Sequence, residues 1–308
     1  MLPGNQKIVT IPASDAESTS GRLLVVQASS NRGVAASRDG DLIEFPFRRR
    51  SGRPLPGDHI TLDTAGALDR IAPRENVFGR GDPRGRLKPI AANLDQVIIV
   101  IAPEPAPSRD LLHRYLAAAL IQGIQSLIVL NKCDLELPQH PPFNELDELQ
   151  GLGYEIIRTS CSKETALATL PARLIGRTSL LAGQSGVGKS SLLNALIPDL
   201  GVQTGALSRV TGKGTHTTTS AILHRLAAGG WVVDTPGVWE YGLWRMPTTE
   251  LQRGFPEFAD HAENCRFRNC SHRHEPGCAV RAAAENGDLP AFRHQAWLRL
   301  LAEQERLG

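Results

Sequence analysis

The sequence predicts an α/β chain: a doubly wound, mostly parallel sheet, preceded by a small β-barrel and followed by a helical segment stapled by a metal. Three observations carry that prediction. Strand-like apolar runs alternate with helix-like segments from Asp95 to Gly237, the pattern of a sheet covered by helices on both faces. Ahead of them, short alternating runs are broken by Gly, Pro and Asp, as in small all-β units. Behind them, Cys265, Cys270 and Cys278 cluster with His272. That spacing suits a metal better than a disulfide framework.

Taken in order, residues 21–27, 41–47 and 57–62 read as strands of the barrel. Arg48, Arg49, Arg50 and Arg53 follow one of them, and Arg74, Arg80, Arg84, Arg86 and Lys88 follow the last. The first 90 residues hold 14 Lys and Arg against 10 Asp and Glu, in a chain of net charge +2. Such clusters pair with phosphates along an RNA backbone or form a solvated face. Few aromatics accompany them, so base stacking by the barrel is not evident. The Gly/Pro/Arg-rich stretch from Gly79 to Pro89 reads as a linker to the sheet.

Asp95 to Ile101 is a buried-strand pattern. Ser108 is placed as the N-cap of a helix with apolar Leu111, Leu112, Tyr115, Leu116, Ala119 and Leu120, closed by Gly123. Further strands are expected at 125–130, after Gly153, at 178–182 and at 230–234, with a helix from Ser190 to Ile197 ended by Pro198. Near the end, Phe292, Ala296, Trp297, Leu300 and Leu301 form a helical stripe that suits packing. At 308 residues and 41% hydrophobic, the chain can build two or three cores. The expected division is 1–85, 86–242 and 243–308. With no apolar run of membrane-span length and no signal-peptide core at Met1 to Asn5, a cytoplasmic enzyme without a membrane partner is expected.

The chemistry lies in the loops after those strands. Gly183-Gln184-Ser185-Gly186-Val187-Gly188-Lys189-Ser190-Ser191 is a phosphate-binding loop. Its glycines permit backbone angles that turn successive N–H groups toward anionic oxygens, with the helix N-terminus behind them. Lys189 is aimed at the β- and γ-phosphates, and the Ser190 hydroxyl at Mg²⁺. Asn131-Lys132-Cys133-Asp134, after the strand at 125–130, reads as a guanine-recognition loop. Asp134 can accept from the N1–H and exocyclic amine of guanine, a donor pair that adenine lacks. Asn131 contacts the purine edge and braces the phosphate loop, and the Lys132 stem packs over the base. Ser160 and Cys161, in the small-residue loop after Arg158, reach the base from the other side. Asp234, ending an apolar strand, serves the metal, and the Gly237 N–H serves the γ-phosphate. The recognition loop precedes the phosphate loop by roughly fifty positions. The parts of one GTP site therefore stand in permuted order, and the segment from Thr211 to Gly237 runs almost directly into the C-terminal region.

These motifs, with Gly214-Thr215-His216-Thr217-Thr218-Thr219 and the Cys/His cluster, make the chain resemble the circularly permuted ribosome-associated GTPase family known as RsgA, also YjeQ or YloQ, over nearly its full length. The resemblance implies an OB-fold for the barrel, a circularly permuted α/β P-loop GTPase core, and a C-terminal helical zinc-binding domain. It also implies GTP and GDP as ligands, and the small ribosomal subunit and its rRNA as partners of a monomer. Thr215 stands where the family often has Arg, and Ser162 where a base-contacting Lys is usual.

Position 238, after the γ-phosphate glycine, holds Val instead of a water-orienting Gln. His216 in the Gly/Thr segment is the expected substitute, by its position and by the resemblance, against the alternatives of a solvent-facing loop residue or an RNA contact. Thr218 is favoured among its neighbours to complete the Mg²⁺ shell. Slow intrinsic turnover, stimulated by the ribosomal partner, follows. Cys265, Cys270, His272 and Cys278 suit one structural Zn²⁺, with His274 as the rival imidazole, less favoured by the family pattern. Competing classes are a phosphotransferase that moves the γ-phosphoryl to a small molecule, and a binding module with a vestigial nucleotide site.

Overall fold

A computed structural model describes residues 8–9, 22–108, 110–161, 169–198, 200–201, 221–235 and 241–307. Six N-terminal strands form one sheet: β1 (Ile8–Val9), β2 (Leu23–Ala28), β3 (Arg32–Ala36), β4 (Leu42–Pro46), β5 (His59–Leu62) and β6 (Leu68–Ile71), in the order β1-β4-β3-β2-β5-β6. Register breaks between Val25 and Gln27 and between Thr61 and Leu62 bend the strands, so the sheet curls into an OB-fold barrel. Leu23, Val25, Ala35, Ile43, Phe45, Ile60 and Leu68 fill it. β3 carries Gly and Ala, which are poor strand formers. Glycine is required there because a Cβ on Gly33 would lie 2.3 Å from the Phe45 ring.

Arg74 is a structural cation. Its Nε and Nη2 donate to the fully buried Asp58 carboxylate at 2.7 and 2.8 Å, and the Leu55 N–H donates to the same group at 2.7 Å. A buried charge persists only when paired in this way. Arg86 is likewise taken up by Asp82 at 2.8 Å. The stretch from Gly79 to Pro89, expected as a linker, is a hairpin of β7 (Val77–Gly81) and β8 (Leu87–Ala92). The hairpin is docked on later parts of the chain. The Gly79 N–H donates to Gln122 Oε1 at 3.1 Å, Tyr241 Oη donates to the Gly79 carbonyl at 2.7 Å, and the Gly81 N–H donates to the Gly242 carbonyl at 2.8 Å.

The second sheet contains β9 (Gln96–Ile101), β10 (Gln125–Leu130), β11 (Glu155–Arg158), β12 (Thr178–Ala182), β13 (Ile222–Arg225) and β14 (Trp231–Asp234). Their order is β11-β10-β9-β12-β14-β13, parallel throughout except for β13. Helices α1 (Leu111–Ile121), α2 (Leu146–Gly151) and α3 (Lys189–Leu196) accompany it. β9 is buried at every position, and its alternate residues divide between two cores. Val97, Ile99 and Ile101 join Leu112 and Leu116 of α1, while Ile98 and Val100 join Leu192 and Leu193 of α3. Each such side chain contributes about 1.5–3 kcal/mol on burial.

Ser108 does not cap α1. The N-cap position is Asp110, at φ 65° and without a side-chain bond to the helix. Its carboxylate accepts from Arg299 Nε at 2.7 and 2.8 Å instead. The C-terminal end closes as expected at Gly123: its N–H donates to Leu120 O, and the Ile124 N–H to Ala119 O.

Past Tyr241, four helices follow: α4 (Thr248–Gln252), α5 (Ala259–Ala262), α6 (Ala279–Asn286) and α7 (Ala291–Leu307). Leu251, Phe255, Phe258, Trp297, Leu300 and Leu301 belong to the same apolar cluster as α1, so the expected stripe on α7 is packing. Arg293 lies within it, 0% exposed. The guanidinium pairs with Glu257, donates to His113 Nδ1 at 3.0 Å and Tyr154 Oη at 3.3 Å, and sits 4.5 Å over the Phe255 ring. His113 Nε2 faces Glu145 Oε2 at 3.1 Å. Because Arg can only donate, Nδ1 must accept and Nε2–H must donate to Glu145. Burial lowers the His113 pKa and keeps that ring neutral. Among the described residues, no helix is long and apolar enough to cross a membrane.

Candidate functional site

Strand order reverses between β9 and β12, which opens a crevice beyond their C-terminal ends where open α/β sheets bind ligands. The phosphate loop leaves β12 at this point and runs into α3. Gly183, Gly186 and Gly188 take φ values of 139°, 84° and 97°. Lys189 Nζ donates to the carbonyls of Gly183 (2.8 Å) and Gln184 (2.7 Å). Burial pushes its pKa down, while the Asp234 carboxylate at the end of β14 holds it up. Asp234 is itself raised by burial and lowered by Lys189. Thr235 Oγ1 donates to the Leu181 carbonyl at 3.1 Å, which ties the chain after β14 to β12. Ser185 is half-buried, and Ser190 and Ser191 are exposed on the first turn of α3.

The recognition loop leaves the neighbouring strand β10. Asn131 is 1% exposed. Its Nδ2 donates to the Val187 carbonyl at 2.9 Å, and its Oδ1 accepts from Thr159 Oγ1 at 3.1 Å. One side chain thus fastens the phosphate loop to the loops after β10 and β11. Lys132 Nζ donates to the carbonyls of Glu104 (2.7 Å) and Gly186 (3.0 Å), laying its stem across the crevice. Asp134 is exposed and accepts from the Ser160 hydroxyl. Cys161 is exposed beside it; partial burial and the Asp134 charge raise that thiol's pKa. The structure brings together Asn131, Lys132, Asp134, Ser160, Cys161, residues 183–191 and Asp234. His216, Thr218 and Gly237 lie outside the described residues, as do Ser162, Thr215 and Val238.

Sequence reading passed over Thr159 and the loop after β9. Thr159 is fully buried and holds the Asn131 amide in orientation. Its only signal was its place ahead of Ser160. Glu104 acts through its backbone carbonyl, which no side chain announces.

A second cluster lies in the C-terminal region. The ligating atoms of Cys265, Cys270, His272 and Cys278 fall within 4.8 Å of one another. His272 Nδ1 is 3.6 Å from both Cys265 Sγ and Cys278 Sγ. Of the two imidazoles, His272 is buried in the cluster and His274 is exposed outside it. Burial pushes the Cys270 thiol up to about 12 and raises Cys278 as well. The loop between these residues is braced by the Glu275 carboxylate, which accepts from the Ser271 and Arg273 N–H groups at 2.7 and 3.0 Å. Helix α7 holds it from behind, with Trp297 Nε1 donating to Ser271 O at 2.8 Å. Three sulfurs and one imidazole at this spacing are compatible with one tetrahedral Zn²⁺.

Comparison with known proteins places these features in one family. Residues 71–244 match the profile of the RsgA GTPase family. A relative from Chromohalobacter salexigens, named small ribosomal subunit biogenesis GTPase RsgA, is 45% identical over 91% of this chain and 83% of its own. One of the same name from Bordetella pertussis is 42% identical over 91% of this chain and 95% of its own. Among solved structures, YjeQ from Thermotoga maritima superposes with a TM-score of 0.70 at 30% identity, covering 92% of this chain and 98% of that one. YloQ, described as a circularly permuted GTPase, gives 0.69 at 28% identity, covering 94% and 97%. With one family's profile spanning more than half of its length, and its architecture shared with both solved structures, the chain belongs to the RsgA GTPase family and is a GTP-hydrolysing enzyme.

Proposed function

We propose that the chain hydrolyses GTP in late assembly of the small ribosomal subunit, with turnover slow alone and raised by the subunit, followed by release. One observation carries the nucleotide part: Asn131 joins two loops roughly fifty residues apart in the chain into one crevice. The names of the curated relatives and the Arg-rich first 90 residues support the ribosomal part.

In this reading Asp134 accepts from guanine, Ser160 and Cys161 border the base, and the Lys132 stem covers it. The loop from Gly183 to Ser191 receives the phosphates. Lys189 exchanges its two carbonyl partners for β- and γ-phosphate oxygens. Ser190, Thr218 and Asp234 hold Mg²⁺, which neutralises charge on the phosphate oxygens when bound. Gly237 donates its N–H to the γ-phosphate, and His216 orients the attacking water because Val238 cannot. Cys265, Cys270, His272 and Cys278 hold one structural Zn²⁺, which lowers the cost of keeping buried thiolates. The barrel is assigned to 1–85, the nucleotide core to 86–242 and the zinc domain to 243–308, with the β7–β8 hairpin crossing the first boundary, in a cytoplasmic monomer whose three parts meet rRNA.

The test is phosphate release from GTP and from ATP, each with and without purified small subunits. Release from GTP alone, raised by subunits, is expected. Equal use of ATP overturns the role of Asp134, and indifference to subunits overturns the ribosomal part. Asp134→Asn should weaken GTP binding at least about tenfold, since it replaces one of the two carboxylate acceptors facing the guanine N1–H and amine with an N–H donor. His216→Ala should lower turnover while leaving GTP affinity nearly intact.

A further inference from the structure

The tip of the cysteine cluster reads Arg266-Phe267-Arg268-Asn269, between Cys265 and Cys270, and all four residues are exposed. Phe267 is 40% exposed and is the one aromatic among the large exposed apolar side chains of the described residues. Other aromatics of this region, Phe255, Phe258 and Trp297, are fully buried. Phe267 is not loosely placed. The Arg266 N–H donates to the Gly277 carbonyl at 3.0 Å, and the Cys270 N–H donates to the Phe267 carbonyl at 3.2 Å, so the turn is fastened on both sides. The Arg266 guanidinium lies 5.5 Å from the ring centroid. Among the described residues, neither Arg266 nor Arg268 has a carboxylate partner, whereas Arg32, Arg74, Arg114, Arg273, Arg293 and Arg299 do.

From these facts we infer that Phe267 is a stacking platform for an unpaired RNA base, with Arg266 and Arg268 on the flanking phosphates. An aromatic side chain held out by a rigid turn and flanked by two cations that have no carboxylate partner among the described residues suits a ligand that presents a π-face and anions within one nucleotide. Single-stranded nucleic acid has both. A duplex offers the phosphates but hides the faces. A purely apolar protein partner would leave two guanidinia unpaired at the contact. The inference rests on the reading that this protein meets ribosomal RNA, and it assigns to one residue a contact that the barrel, poor in aromatics, is not suited to make.

The experiment uses the full chain with its metal content measured. The probe is a single-stranded RNA oligonucleotide carrying a fluorescent adenine analogue, compared with its duplex and with purified small subunits. The wild-type chain should prefer the single strand and quench the analogue. Phe267→Ala should abolish quenching and weaken single-strand binding roughly 5- to 150-fold, with metal content, melting temperature and GTP hydrolysis unchanged. Phe267→Trp should restore both, and Arg266→Ala or Arg268→Ala should each reduce the salt slope by about one. Retained quenching and affinity in Phe267→Ala overturn the inference while leaving the ribosomal reading intact. Weakened subunit binding with unchanged single-strand binding also overturns it, in favour of a protein contact. A wild-type chain that binds neither RNA nor subunits overturns the ribosomal reading itself.

Discussion

A Cβ placed on Gly188 would lie 2.3 Å from Asn131 Nδ2, the atom that bonds the Val187 carbonyl. Gly188→Ala therefore meets two costs. The backbone sits at φ 97°, and an L side chain held in the left-handed region costs about 1–2 kcal/mol. Displacing the Asn131 amide forfeits a buried hydrogen bond worth about 1 kcal/mol. Asn131→Ala removes the same bond and the one from Thr159, leaving two buried partners unsatisfied, for about 2–4 kcal/mol. In the doubly substituted chain no amide is left to displace, so the Gly188 change adds its backbone cost alone. The double variant should thus be less destabilised than the sum of the singles by about 1 kcal/mol. Urea unfolding of the four proteins, paired with titration of a fluorescent guanine nucleotide, reads both stability and affinity. Additivity within about 0.5 kcal/mol would refute the bridge between the two loops.

Other outcomes follow from buried groups elsewhere. Arg293→Met strands the Glu257 carboxylate and should cost about 3–5 kcal/mol, with partial recovery when Glu257→Gln is added; an unfolding midpoint unchanged by Arg293→Met contradicts this. His224 on β13 is 3% exposed, its Nδ1 has no partner among the described residues, and burial pushes its pKa down to about 4. A depressed histidine leaves stability whole above the unfolded value near 6.5 and erodes it as pH falls toward 4, by roughly 2–4 kcal/mol. His224→Gln should flatten the melting-temperature profile over that window, and an identical slope in both proteins argues against the assignment. Chelating the proposed Zn²⁺, or Cys270→Ser, should shift Trp297 emission to the red, because Trp297 is held against the loop by its bond to Ser271; unchanged emission in a metal-free chain would show that no staple acts there.

The nucleotide crevice was legible because its chemistry sits in contiguous runs. A phosphate loop needs glycines, one lysine and one hydroxyl in adjacent positions, so 183–191 could be read without coordinates. Strands β9, β10 and β12 were equally plain, since a strand buried on both faces carries unbroken apolar residues. β3 was missed because Gly33 and Ala35 are chosen for what faces them, Phe45 and the barrel interior, and not for strand propensity. Ser108 was read as a cap on local pattern alone. The actual N-cap position, Asp110, is drawn away by Arg299, a residue 189 positions later.

The order of motifs by itself determined the permuted guanine-nucleotide core, and the cysteine spacing determined a four-ligand cluster. Local spacing left His272 and His274 as rivals, and only burial separated them. Tertiary structure also decided that 79–89 is a docked hairpin, that Arg74 serves Asp58, and that the C-terminal helices share one core with α1 through Arg293. The physical reason is range. Backbone conformation and loop chemistry are set by neighbours a few residues apart, whereas the pairing of a buried charge depends on whichever distant group the fold brings within about 3 Å.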